Sequence, residues 1–88
     1  MEQVLEKEKT GIVDHDSCNI VVFNDDFNSF EHVIDCFQRI LKHSHFQAEQ
    51  LALIIHTKGK AQVKHGTFEE LQPLCEQLIS EDLDATIE

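Results

Sequence analysis

Asn24-Asp25-Asp26 places a carboxamide and two carboxylates in succession, between a hydrophobic run and the start of a helical pattern. Such a cluster offers oxygen acceptors without a fixed positive charge, and it suits the grip of a single ammonium group. The plainer reading is that Asn and Asp are favoured turn and capping residues, abundant in strand-to-helix loops. His56 lies near the end of a mostly apolar stretch. Its ring nitrogen adds an acceptor for the same ammonium if the helix ends beside that turn. Otherwise a histidine there is a packed or dipole-favoured residue. His43-x-His45 needs two further ligands to hold a metal, and none stands nearby at a recognisable spacing. His15, His32 and His65 read as surface residues, and no metal or cofactor is expected.

Nucleophilic chemistry has little support. There is no G-x-S-x-G elbow, no phosphate-cradling glycine loop and no H-E-x-x-H. Cys36 could pair with an imidazole, but it falls on the core side of a helical pattern, and buried thiols are inert. Cys18, Cys36 and Cys75 are odd in number and contain no C-x-x-C. A disulfide framework, a zinc knuckle and a thioredoxin-like centre are all disfavoured. A binding domain is expected rather than an enzyme.

The elements that must carry these residues follow from periodicity and caps. Asn19-Ile20-Val21-Val22-Phe23 is a β-branched strand cut off by the Asn24 turn. Asn28 as N-cap with Glu31 three residues later announces a helix, whose face is Phe30, Val33, Ile34, Phe37 and Leu41, closed by Lys42-His43. Ser44 with Gln47 opens a second helix bearing Ala48, Leu51, Ala52 and Ile55. Leu53 and Ile54 thicken that stripe, predicting burial on more than one side. Gly59 caps it. Ala61, Val63 and His65 alternate as a half-exposed strand. Thr67 with Glu70 opens a third helix, with Phe68, Leu71, Leu74, Cys75, Leu78 and Ile79 on one face. Pro73 predicts a kink or a helix restarting near it. Leu83, Ala85 and Ile87 end the chain as a strand. The order β-α-α-β-α-β is an α+β arrangement, most simply three helices on one face of an open three-stranded sheet.

The 88 residues leave room for one domain. Residues 1–17 are rich in charge and poor in apolar side chains, and read as a flexible N-terminal extension to a domain at 18–88. Seventeen acidic against seven basic residues give a formal net charge of −10. Nucleic acid and anionic membranes are thereby disfavoured as partners, and a cation or amine is favoured. No apolar h-region and no run of membrane-spanning length is present, so a cytoplasmic monomer is the expectation.

The run Val22-Phe23-Asn24-Asp25-Asp26-Phe27-Asn28-Ser29-Phe30-Glu31-His32-Val33 closely resembles the signature of the ClpS family of adaptor proteins. The match continues through Ala48-Glu49-Gln50-Leu51 and Ile55-His56-Thr57-Lys58-Gly59-Lys60-Ala61, and ends at Leu83-Asp84-Ala85-Thr86-Ile87. The resemblance implies the ClpS-like fold, also that of the ribosomal stalk C-terminal domain: three helices on a small antiparallel sheet. It further implies an adaptor of the N-degron pathway. Such an adaptor binds proteins with Leu, Phe, Tyr or Trp at the N-terminus and delivers them to a ClpA- or ClpC-type AAA+ unfoldase of the Clp protease. By the same resemblance Asn24, Asp25 and His56 hold the α-amino group. Phe30, Val33, Ala52, Ile55 and Leu83 line the side-chain pocket, Asp26 and Asn28 form its rim, and the N-terminal extension engages the unfoldase.

The chain departs from the family pattern in places. Phe30 stands where many members have a Met that screens out β-branched side chains, which bears on discrimination against Ile and Val; Ala52 stands where a larger residue is common, which implies a deeper pocket suited to aromatic side chains. Glu69-Glu70-Leu71-Gln72-Pro73-Leu74-Cys75 lacks a Lys used towards the unfoldase. The competing class is a stalk-like interaction module without N-degron binding, which a basic exposed helix would favour and a charge of −10 does not.

Overall fold

The computed structural model describes residues 17–88, so the N-terminal extension expected at 1–17 lies, Ser17 apart, outside the described residues. The elements run β1 (Cys18–Phe23), α1 (Phe30–Arg39), α2 (His45–Lys58), β2 (Lys60–Gly66), α3 (Phe68–Ser80) and β3 (Asp84–Ile87). The sheet order is β2-β1-β3, with β1 antiparallel to both neighbours. A central strand must be apolar on both faces, and Ile20, Val21 and Val22 are all buried. Ile20 and Val22 join the main core, while Val21 lies outside that cluster, flanked by its register partners Gln62 and Thr86. The architecture is the α+β arrangement expected, with Phe37, Leu41, Leu71 and Leu78 at its centre.

The caps explain where the helices begin. Ser44 Oγ accepts from the Gln47 N–H at 3.1 Å. Thr67 and Glu70 form a reciprocal capping box at 3.0 and 3.1 Å. The first helix departs from expectation: its N-cap is Ser29, not Asn28, with Ser29 Oγ accepting from the His32 N–H at 3.0 Å. The Asn28 carboxamide instead donates within the preceding turn and across to the turn after α3, as described below. The last assigned residue of α1 is Arg39, and Lys42 then turns the chain with φ 63°.

Three expectations about the helices are corrected. Leu53 and Ile54 are 46% and 43% exposed, since α2 packs through the single face of Ala48, Ala52 and Ile55. Ile79 is likewise exposed, beside the buried Leu78. The helix does not restart at Pro73; α3 is assigned unbroken through it. Pro73 is exposed, so its ring lies on the solvent side of α3 and displaces no core packing.

The end of α3 is a Schellman turn. The N–H of Leu83 donates to the Leu78 carbonyl at 3.1 Å, that of Asp82 to Ile79 at 2.9 Å, and Asp82 takes φ 70°. Gly59 ends α2 with φ 95°, and its carbonyl accepts from the Asn24 N–H at 2.8 Å, tying the end of α2 to the end of β1. A Cβ added at Gly59 would meet no atom within 4 Å. Gly59→Ala therefore isolates the backbone cost of a left-handed residue, and it should lower stability by roughly 1–2 kcal/mol. Urea denaturation should show a reduced midpoint at an unchanged slope; an unaltered midpoint would contradict this account of the cap.

Candidate functional site

The turn after β1 is organised by Asp25. Its Oδ1 accepts from the N–H groups of Phe27 and Asn28, each at 2.8 Å, and its Oδ2 accepts from Asn28 Nδ2 at 2.8 Å. The same Asn28 Nδ2 donates to the Asp82 carbonyl at 2.9 Å, across 54 residues of sequence. One carboxamide thus joins the β1–α1 turn to the Schellman turn after α3. Asp82 presents that carbonyl from its left-handed conformation, which Asp tolerates better than most residues.

These bonds also set the charge of Asp25. Burial works against ionisation, but the main-chain and side-chain donors of Asn28, the Phe27 N–H and the nearby His32 outweigh it. The carboxyl therefore titrates below its ordinary value of 3.8. A carboxylate has about four acceptor positions, of which three are occupied here, leaving room for one further donor.

This turn, α1 and α2 line an open cavity of about 400 Å³. Its polar side is Asn24, Asp25, Asp26, Asn28 and His56, and its apolar side is Phe30, Val33, Ala52 and Ile55. Ala52 and Ile55 are buried at the wall, and Phe30 is 38% exposed at the opening. Leu83 is absent from this lining. It lies in an adjoining recess that shares Asn24, Asp25, Asn28, Val33 and Ile55 with the main cavity and extends to Val22 and Phe23. The chain thus brings nine of the ten residues singled out from sequence around one cavity, with Leu83 in the recess next to it.

The polar groups divide into committed and free. Asp25 and Asn28 are engaged with each other, whereas the side chains of Asn24, Asp26 and His56 make no hydrogen bond to any described residue. His56 reaches the cavity because α2 ends one residue before Gly59, which is bonded to Asn24. The cavity thus combines polar acceptors with an apolar wall.

Sequence reasoning missed a second cluster. His32, expected at the surface, is half-buried, its Nε2–H donating to the Glu81 carbonyl at 2.9 Å and lying 3.6 Å from Cys36 Sγ. The i, i+4 spacing of His32 and Cys36 was the available signal; Glu81 is 45 residues beyond Cys36. Burial, with the charge of Glu81, pushes the Cys36 thiol up, as burial does for Cys75. His43 and His45 do not converge on a ligand set: His45 meets Gln38, and the His43 ring packs edge-on against Phe37.

The family model described as "ATP-dependent Clp protease adaptor protein ClpS" matches residues 14–86. The chain belongs to the ClpS family. An ATP-dependent Clp protease adapter protein ClpS of Vibrio cholerae serotype O1 is 35% identical over 65 residues, 74% of this chain and 59% of that protein. The Pectobacterium carotovorum ClpS is 36% identical over 56 residues, 64% of this chain and 53% of its own length. The chain thus spans between half and three-fifths of these relatives' lengths. Among solved structures, Agrobacterium tumefaciens ClpS2 bound to L-phenylalaninamide superposes with a TM-score of 0.76 at 19% identity. The overlap covers 84% of this chain and 96% of that one, and it establishes the ClpS fold.

Because the folded-state value of Asp25 is depressed, its contribution to stability is complete above about pH 3.8 and is lost as the pH falls through the folded value. Asn28→Ala should cost about 1 kcal/mol at pH 7, modest because the turn is partly exposed. The gap between the urea midpoints of the wild type and the variant should narrow as Asp25 becomes protonated, the bond to the Asp82 carbonyl keeping it from closing. A gap as wide at pH 3 as at pH 7 would show that the carboxylate is not the partner that matters.

Proposed function

We propose that this domain is an N-degron recognition adaptor that grips a free α-amino group together with a bulky hydrophobic first side chain. The observation that carries the reading is the juxtaposition in one cavity of acceptors free to take an ammonium with an apolar wall formed by Phe30, Val33, Ala52 and Ile55. The ligand named for the Agrobacterium relative, L-phenylalaninamide, combines the same two features: an α-amine and a benzyl group.

In this reading Asn24, Asp25 and His56 accept from the ammonium. A true N-terminus offers three donors where an internal peptide bond offers one, so selection for chain ends follows from valence alone. Asp26 and Asn28 stand at the rim, and Leu83 closes the recess beneath the pocket. Burial of the first side chain contributes roughly 1.5–3 kcal/mol. Each charge-assisted hydrogen bond contributes about 1.5–3 kcal/mol before ordering costs. Micromolar affinity, about −8 kcal/mol, is within reach of one residue and its amine. Ala52 leaves depth in the pocket, which favours Phe, Tyr or Trp over Leu.

The bound protein is then handed to an AAA+ unfoldase of the Clp protease, of ClpA or ClpC type. The domain acts as a cytoplasmic monomer and catalyses nothing itself. Among the described residues no helix is long and apolar enough to cross a membrane.

Fluorescence anisotropy with Phe- and Leu-headed peptides tests the reading. Phe should bind more tightly than Leu, N-acetylation should abolish binding, and His56→Ala should weaken it while leaving the urea midpoint unchanged. Affinity should fall at alkaline pH as the amine loses its proton. Asp25, which titrates below its ordinary value of 3.8, keeps its charge throughout that range. Binding indifferent to acetylation would remove the proposal.

A further inference from the structure

Outside the cavity, three side chains with metal-binding donors converge between α1 and the turn after α3, two of them partly exposed and one buried. His32 Nε2 and Cys36 Sγ are 3.6 Å apart, His32 Nε2 and Glu81 Oε1 are 3.9 Å apart, and all three donor atoms lie within 4.8 Å of one another. We propose that His32, Cys36 and Glu81 form a binding site for one thiophilic divalent cation, Zn²⁺ by the donor set.

The spacing matches the metal. Zinc bond lengths of about 2.3 Å to sulfur and 2.0–2.1 Å to nitrogen put an N and an S ligand about 3.5 Å apart in a tetrahedron. The corresponding N to O separation is about 3.4 Å. The His32 to Cys36 distance is already within 0.1–0.2 Å of the first value, and a small rotation of the Glu81 side chain supplies the second. One nitrogen, one sulfur and one carboxylate oxygen select zinc over the oxygen-seeking Mg²⁺ and Ca²⁺. Cys36 forms the buried floor, while the side chains of His32 and Glu81, 34% and 35% exposed, frame an opening through which an ion and a fourth, water ligand can enter.

The cluster already draws a cation towards it. Arg39 Nη2 stands 3.8 Å from Cys36 Sγ and 3.5 Å from Glu81 Oε1. Arg39 also holds Asp35 on its own helix at 2.7 Å, so the guanidinium can swing away from Glu81 without losing its ion pair. On metal binding the Cys36 thiol gives its proton to solvent. The His32 imidazole moves its proton from Nε2, where it now bonds the Glu81 carbonyl, to Nδ1. The site shares the α3–β3 turn with the amine cavity, since Asp82, next to Glu81, accepts from Asn28. It does not depend on peptide recognition.

The test is titration of the untagged, fully reduced 88-residue chain with Zn²⁺ by calorimetry, and with Co²⁺ by absorption spectroscopy. One ion should bind per chain, and Co²⁺ should develop the near-ultraviolet charge-transfer band of a thiolate ligand. Glu81→Gln and His32→Gln should each weaken binding by at least the 10–100-fold typical of losing even an outer partner. Cys36→Ser should abolish the band. Arg39→Gln, which removes the competing cation and no ligand, should tighten binding several-fold. Should Cys36→Ser fail to fold, the band and the other three variants still decide. Absence of stoichiometric binding, Co²⁺ binding without the thiolate band, or affinity unchanged by Glu81→Gln and His32→Gln would each overturn the site.

Discussion

The bonds accepted by Asp25 hold the candidate site in shape. Its two oxygens take the N–H groups of Phe27 and Asn28 and the Asn28 carboxamide, and that carboxamide reaches on to the Asp82 carbonyl. A turn between a strand and a helix, in a domain this small, would otherwise be free to shift. Here it is fixed at one end by the ladder of β1, on its flank by Gly59, and across the fold by the turn after α3. The acceptors of the cavity are thus placed before any ligand arrives, which reduces the ordering cost of binding.

The site therefore contains two kinds of polar residue. Asp25 and Asn28 build the frame, with only part of the Asp25 carboxylate left over for a guest. Asn24, Asp26 and His56 face the cavity uncommitted to the described chain. The apolar side comes from two helices: Phe30 and Val33 from α1, and Ala52 and Ile55 from α2. Ala52 and Ile55 also belong to the core, so the pocket wall and the packing of α2 are one structure. Ala52 and Ile55 thus shape the cavity and the packing of α2 together, whereas the exposed His56 takes no part in that packing.

Much of this was legible in the sequence because the signals are local. The β-branched run of β1, the Ser44 and Thr67 caps and the left-handed Gly59 each act within one turn of chain, and each element appears where those residues put it. The failures share one cause, a partner distant in sequence. Asn28 and Ser29 are both good capping residues; Ser29 caps α1, and the Asn28 carboxamide is oriented by Asp25 and by Asp82, 54 residues away. Leu53 and Ile54 look like core residues, but among the described residues no element covers that side of α2, and both are exposed. His32 reads as surface until Glu81 closes over it.

Composition, periodicity and caps determined a small acidic α+β domain in the order β-α-α-β-α-β, and the motif run determined its family. Those properties reside in nearest-neighbour chemistry and need no knowledge of the fold. Tertiary structure alone decided which polar groups are spent and which are free, where the cavity opens, and that a histidine, a cysteine and a glutamate meet behind it. The direction a side chain takes depends on partners brought together by the fold: the Asn28 carboxamide, which bonds both Asp25 and the Asp82 carbonyl 54 residues away, is held in the β1–α1 turn rather than over the first turn of α1.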